Sequence, residues 1–295
     1  MKNVNQIRIP KEASIKRIIN LMKDTGFNGK RLAKACLIYE EMIKDSECRK
    51  FFGLAGAMIP AGMRRIIRDW INKGYIDVLV TTGANLTHDL AEALGYHHLQ
   101  GDSQASDKEL RKKGFNRIYD VYMHNEVYEA MEDFVQGLEF SPGMSVKEFI
   151  WYLGKKLKDN NSIMRTAAKK KVPIFCPAFT DCGLGIQLAL NKEIRINQFK
   201  DLKEIIDLAW TAKKAGIIII GGGVPKNHIM QALQFTPKNA SYAVQITTDT
   251  PSPGGLSGAE LREGISWGKI NQKAKRVEVL CDATIALPIM AGYLA

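Results

Sequence analysis

The chain of 295 residues holds no apolar run approaching the eighteen or so residues that a membrane-crossing helix needs, so no span is predicted. Its N-terminus, MKNVNQIRIPKEAS, lacks the apolar core of a secretory signal, and a cytoplasmic protein is the expectation. Cysteine is scarce. Cys36, Cys48, Cys176, Cys182 and Cys281 are odd in number and show neither CxxC pairing nor zinc spacing. Buried thiols in a reducing compartment fit that pattern better than a disulfide framework, and no metal site is expected. The Gly-x-Gly-x-x-Gly fingerprint of dinucleotide folds, low-complexity tracts and long polar linkers are absent as well.

Acidic residues are the minority sign. A formal net charge of +11 invites a nucleic-acid reading, because basic proteins attract phosphate chains. The basic residues are spread over many segments, however, and KKK at 169–171 is the longest run. Basic solvated faces account for that distribution, so a nucleic-acid binder ranks last, and an acidic macromolecular partner stays open.

Residues 14–23 and 28–44 read as two helices, each begun by a capping residue and separated by Gly26. FFGLAGAMIPAGMRRIIRDWINKGY (51–75) runs from a small-residue loop, where exposed N–H groups suit a phosphate, into an amphipathic helix. IDVLVTT (76–82) is an apolar, β-rich run of the kind buried on both faces of a sheet. It breaks at Gly83-Ala84-Asn85, and a helix is predicted from Thr87. The same strand–turn–helix unit recurs at 172–179, at 216–220 before Gly221-Gly222-Gly223, at 242–247, and at 277–280 before CDAT. Five such units predict an α/β fold, a doubly wound, Rossmann-like parallel sheet with helices on both faces. A nucleotide would then lie at the carboxyl edge of that sheet. The expected organisation is an N-terminal helical segment (1–50) and one domain (51–295) with a helical insertion at about 107–159.

The chemistry is concentrated in SGAELREGISWGKI (257–270). Leu261 and Ile265, one turn apart, predict an amphipathic helix with Ser257 as N-cap and Lys269 at its end. A lysine there suits the negative end of the helix dipole and needs no further role. The sharper reading makes Lys269 a nucleophile, walled by Trp267, with Gly268 clearing the approach. An amine attacks only when neutral, so its pKa must fall from about 10.4 to about 7–8. That is roughly 3–5 kcal/mol of destabilised ammonium, within what desolvation supplies. Glu260, Glu263 and Trp267 would share one helix face that suits an organic cation.

GISWGKI resembles the signature around the catalytic lysine of deoxyhypusine synthases. VLVTTG, CPAFTDCGLG, IIIIGGGVPKNHI and CDAT are similar to that family in order and spacing, from about Phe51 onwards. The resemblance implies a homotetramer that binds NAD at subunit interfaces. It implies a transferase in which NAD takes a hydride from spermidine and the aminobutyl imine passes to Lys269. The group then moves to a lysine of translation factor 5A. By the same resemblance His228 handles a proton, Trp267 and Glu263 line the amine site, and Thr82, Gly83, Ala84, Asp181, Thr248, Asp282 and Ala283 touch NAD.

The chain also departs from the family. Ile186 stands where TDGSLGD carries an aspartate, and Pro253, Gly255 and Leu256 replace contacts of DGSDSG. His88, a candidate amine-site residue, stands where eukaryotic members carry a glutamate; it can act as a base or simply cap and pack. Losing charge-assisted contacts worth about 1.5–3 kcal/mol each would weaken spermidine. Two alternatives follow: a homospermidine-like transfer to a small amine, or a non-catalytic NAD-binding protein. Retention of Lys269, His228, Trp267 and Glu263 together argues against the second.

Overall fold

The computed structural model describes residues 3–193 and 195–295. Two compact units emerge. The first comprises the chain through Ala55, Gly74–Val80 and Leu202–Ala295; the second comprises Gly56–Lys73 and Thr81–Asp201.

Among the described residues nine strands occur in chain order: β1 (Cys48–Leu54), β2 (Val78–Thr81), β3 (Leu99–Gln100), β4 (Phe115–Ile118), β5 (Val121–His124), β6 (Ile174–Phe175), β7 (Lys214–Ile220), β8 (Ala240–Thr247) and β9 (Ile270–Leu280). The first unit is built on the sheet order β2-β1-β7-β8-β9. β1 pairs with β7, β7 with β8 and β8 with β9, all in parallel. Ile217 to Ile220 are fully buried, as β-branched side chains covered on both faces must be. Two glycines show that both faces are covered. A Cβ at Gly216 would meet the Met42 side chain on the helix Phe27–Lys44, whereas one at Gly53 would meet Ile229 on the helix Gly223–Gln234. Gly216 pairs with Lys50 and Gly53 with Ile219, an odd offset along the strand, so the two helices lie on opposite sides. The expected doubly wound α/β sheet is present.

The predicted helices at 14–23 and 28–44 form at Ile15–Met22, capped by Ser14, and at Phe27–Lys44. β1 was not among the predicted strands. It lies between β2 and β7, and chain order reverses there, so the crevice of a doubly wound sheet falls between β1 and β7. The loops after these two strands meet: a Cβ at Gly221 would stand 3.1 Å from Cβ of Ala55. The helix expected from Thr87 starts four residues earlier, at Gly83, because Thr82 accepts the Asn85 N–H as N-cap.

The second unit carries the antiparallel sheet β3-β5-β4 and α-helices that include Gly83–Ala93, Val146–Lys156, Ile163–Lys170 and Gly183–Asn191. Its polar centre is Asp89, fully buried. The carboxylate takes Arg64 Nε at 2.7 Å, Ser162 Oγ at 2.8 Å, and the backbone N–H groups of Ile163 and Met164 at 3.0 Å. It thus closes the start of one helix from the middle of another and neutralises a buried guanidinium. Asp89→Asn removes the charge while keeping the size. The second unit should lose about 3–5 kcal/mol, because Arg64 is left with less compensation; chemical denaturation of both proteins measures the difference.

Candidate active site

The segment 257–270 is not the predicted amphipathic helix. Only Glu263–Ser266 is helical, a single turn, and the rest is turns and bends. Close backbone packing and glycine account for this. A Cβ at Gly258 would overlap the Thr250 carbonyl at 1.9 Å, and Gly268 sits at φ +67°, a left-handed turn that an L side chain resists. Leu261 is nonetheless fully buried, so the apolar pattern was correct about the face and wrong about the backbone. The expected shared face of Glu260, Glu263 and Trp267 does not exist. Instead the Glu263 carboxylate accepts the Glu260 N–H at 3.0 Å, and the Glu260 carboxylate pairs with Arg262.

Lys269 therefore enters β9 from a turn whose backbone is held on four sides. Its N–H donates to Gly264 O at 2.8 Å, Gly268 N–H donates to Ile265 O at 3.1 Å, Asn239 Nδ2 donates to Gly268 O at 2.8 Å, and Ala240 N–H donates to Lys269 O at 3.1 Å. Burial lowers the pKa of the Lys269 amine from its ordinary value. Trp267 acts in the other direction. Lys269 Nζ lies 5.0 Å from its ring centroid, and an aromatic face attracts the ammonium form. Trp267 is itself 61 % exposed, so within one chain the wall is open.

His228 sits in the helix Gly223–Gln234, and burial pushes its imidazole down to about 4, so it is neutral at physiological pH and able to accept a proton. The same helix meets the lysine turn: a Cβ at Gly264 would stand 2.7 Å from the Met230 methyl. Two residues that sequence reasoning missed hold this arrangement. Gln245, buried in β8, donates to Gly221 O at 2.9 Å and to Ser257 O at 2.8 Å, and accepts from Lys226 Nζ at 2.9 Å. Lys226 also donates to Ala259 O, and burial lowers it to about 8 against the raising pull of Glu278 and Glu263. A glutamine inside the apolar run AVQIT was the available signal.

β9 sets a distance. Ala240 is opposite Ile270 and Thr247 is opposite Leu280, with an irregularity between. Lys269 thus stands at the amino end of the sheet and Asp282 just beyond its carboxyl end, separated by the length of β8, roughly 23 Å at ~3.3 Å per residue. Asp282 caps the helix Ala283–Leu294. Thr284 donates to Asp282 Oδ1 from its N–H at 2.7 Å and from its hydroxyl at 2.5 Å, which holds the carboxyl below its usual range. Both bonds fall on Oδ1. Ala283 follows in the helix and is half-buried, and Thr248 is exposed after β8.

In the second unit, Thr82, Gly83 and Ala84 form the start of the helix Gly83–Ala93, and Asp181 is exposed just before the helix Gly183–Asn191. The two starts are in contact. A Cβ at Gly83 would stand 2.5 Å from Cβ of Cys182, and Thr87 Oγ1 accepts the Leu184 N–H at 3.1 Å. Paired helix N-termini fit the diphosphate of a dinucleotide. His88 is half-buried on the same helix, and burial lowers it to about 4. Ile186 and Leu256 are exposed at 54 % and 49 %.

These features define a doubly wound α/β protein with a held, partly desolvated lysine and dinucleotide-compatible helix starts. The deoxyhypusine synthase family model matches residues 17–294. A probable deoxyhypusine synthase 1 of Methanosarcina mazei is 44 % identical, over 98 % of this chain and 93 % of that protein. One of Archaeoglobus fulgidus is 43 % identical, over 99 % and 97 %. A crystal structure from Entamoeba histolytica carrying the same family name superposes with a TM-score of 0.67 at 21 % identity, covering 96 % of this chain and 93 % of that one. The chain belongs to the deoxyhypusine synthase family.

The Lys226 pKa has a measurable consequence. The unfolded chain keeps this proton up to about 10.5, whereas the folded chain releases it near 8. Between those values the unfolded state binds more protons, so this group makes stability rise with pH. Across pH 8 to 10.5 the unmodified protein should therefore gain melting temperature relative to Lys226→Met, which carries no such group; parallel thermal scans read the difference.

Proposed function

We propose that the chain is an NAD-dependent aminoalkyl transferase that takes an aminobutyl group from a polyamine such as spermidine, holds it as an imine on Lys269, and passes it to a lysine of translation factor 5A. The observation that carries this reading is Lys269 itself: partly desolvated, in a turn held by four hydrogen bonds to the backbone of Gly268 and Lys269, and set 5.0 Å from an indole in the family's signature stretch. When bound, NAD would accept the hydride. Thr82, Gly83, Ala84 and Asp181 in the second unit, and Thr248, Asp282 and Ala283 in the first, are the proposed contacts to it. His228, neutral through burial, takes up a proton, while Glu263 and Trp267 face the amine as counter-charge and aromatic wall, with His88 as a further amine-site residue.

An amine held at Lys269 lies roughly 23 Å along β9 from the proposed cofactor contact at Asp282 of the same chain. That supports a homo-oligomer, a tetramer on this reading, in which one subunit's lysine turn serves another's cofactor edge. A second reading has one specific observation in its favour. Ile186 and Leu256 present apolar surface where the family motifs carry acids, which suits a shorter or less charged amine and a homospermidine-like acceptor.

Lys269→Arg keeps a cation but removes the nucleophile. Folding and NAD affinity should stay near those of the unmodified protein while transfer falls to background, and borohydride with NAD and spermidine should label Lys269 only in the unmodified chain. Mass mapping of the adduct checks this; transfer at the normal rate by Lys269→Arg refutes it. The double change Ile186→Asp, Leu256→Asp should tighten spermidine binding by about tenfold or more, as each restored charge-assisted contact contributes about 1.5–3 kcal/mol. Titration calorimetry measures it.

A further inference from the structure

In the second unit, outside the lysine turn, three histidines and a glutamate stand in one hydrogen-bonded line. His88 and Glu92 are one turn apart on the helix Gly83–Ala93, so they share a face. The chain leaves that helix at Gly95 and folds back, which lodges His98 between them. His98 Nδ1 lies 2.7 Å from Glu92 Oε1, and its backbone N–H donates to the same oxygen at 3.0 Å. His98 Nε2 lies 2.8 Å from His88 Nδ1, with the rings edge-on at 4.8 Å. His97 Nδ1 meets the other oxygen, Glu92 Oε2, at 3.0 Å. The His98 side chain is 6 % exposed, so it serves only its neighbours, while His97 is 73 % exposed.

The protons in this line are determined from one end. Burial works to raise the Glu92 carboxyl, but the bonds from His98 and His97 bring it down to about 2, so it is ionised. A carboxylate only accepts, so His98 Nδ1 carries the hydrogen. In the Nδ1–H tautomer of His98 its Nε2 is bare and accepts from His88 Nδ1–H. The remaining nitrogen, His88 Nε2, is left with its lone pair. A glutamate at position 88 would present a negative charge; this assembly presents a neutral acceptor backed by a negative charge two rings away.

We propose that Glu92, His98 and His88 form a proton relay ending at His88 Nε2, which takes the proton that an amine donor must lose before it can be oxidised. The proposal rests on the amine-transfer reading. The step balances as a proton transfer alone. The donor's ammonium N–H bond breaks and an N–H bond forms at His88 Nε2. The Nδ1 proton of His88 moves to His98 Nε2, and the positive charge rests on His98 against the Glu92 carboxylate. His88 touches the donor, and His98 and Glu92 are positioning residues. Burial disfavours a cation on His88 itself, so without its partners it would be a weak base.

The test uses full-length protein labelled with nitrogen-15 in its five histidines, which single substitutions assign. Two-bond proton–nitrogen spectra should show His88 and His98 both as Nδ1–H tautomers. Spermidine, added without NAD, should protonate His88 Nε2 in the unmodified protein and fail to do so in His98→Gln. A His88 Nε2–H tautomer in the free protein, or unchanged imidazoles with spermidine bound, overturns the relay. With NAD present, His98→Gln and Glu92→Gln should each lower kcat for donor oxidation by about 100-fold with KM little changed, as loss of a general base does. Normal kcat in both relay variants also overturns the proposal. If the unmodified protein oxidises no amine, the transfer reading falls, and the spectra with spermidine still decide the relay.

Discussion

The buried amide of Gln245 is the interaction on which the lysine-bearing segment depends. An amide taken out of water into an apolar strand costs several kcal/mol unless its hydrogen bonds are replaced. Here Oε1 accepts from Lys226 and Nε2 spends both hydrogens, one on Gly221 O and one on Ser257 O. The three partners come from the glycine loop after β7, the helix that follows it, and the crossover from β8 to β9. The crossover can approach only because position 222 lacks a side chain: a Cβ there would stand 2.3 Å from Cα of Ser257. Lys226 then pins Ala259, and the chain runs from that fixed point through one helical turn to Lys269. The position of Lys269 is thus inherited from a satisfied glutamine in the core.

That inheritance has a geometric consequence. In a doubly wound sheet the loops at the carboxyl edge meet ligands, yet the crossover after β8 carries the lysine back to the amino edge before β9 begins. On the transfer reading the two halves of the chemistry then belong to different copies of the chain. The open face of Trp267 fits this, because an aromatic ring that is 61 % exposed still needs a covering surface to enclose a substrate.

Most of the scaffold was legible in the sequence. β-Branched runs gave β7 and β8, and Ser14 marked a helix start with a capping side chain. β1 was missed because FFGLAGA shades from strand into small-residue loop without a break, and the glycines drew attention to the loop. The segment 257–270 was misread for the opposite reason. Leu261 and Ile265 have helical spacing, but Gly258, Gly264 and Gly268 are needed for close approach or a left-handed turn, and these tertiary demands override a two-residue pattern. The motif residues were locatable by likeness. Lys226, Gln245, Glu92 and His98 were not, since polar residues reveal a partner only once the fold brings it near.

The departures at Ile186, Leu256 and His88 share one electrostatic logic. On the transfer reading, an acid at each would bring negative charge to an ammonium ligand and raise that ligand's pKa, because an opposite charge favours the ionised form. Such a site binds a polyamine well but makes its deprotonation harder. Removing the acids weakens the grip on the cation and eases the loss of its proton. On the proposed relay, Glu92, ionised and separated from His88 Nε2 by two imidazole rings, would keep a negative charge available for the moment at which a proton arrives. Charge is moved from where it would hold the reactant to where it would stabilise the result of the first step. Only the second arrangement lowers the barrier for a donor that must react as its free base.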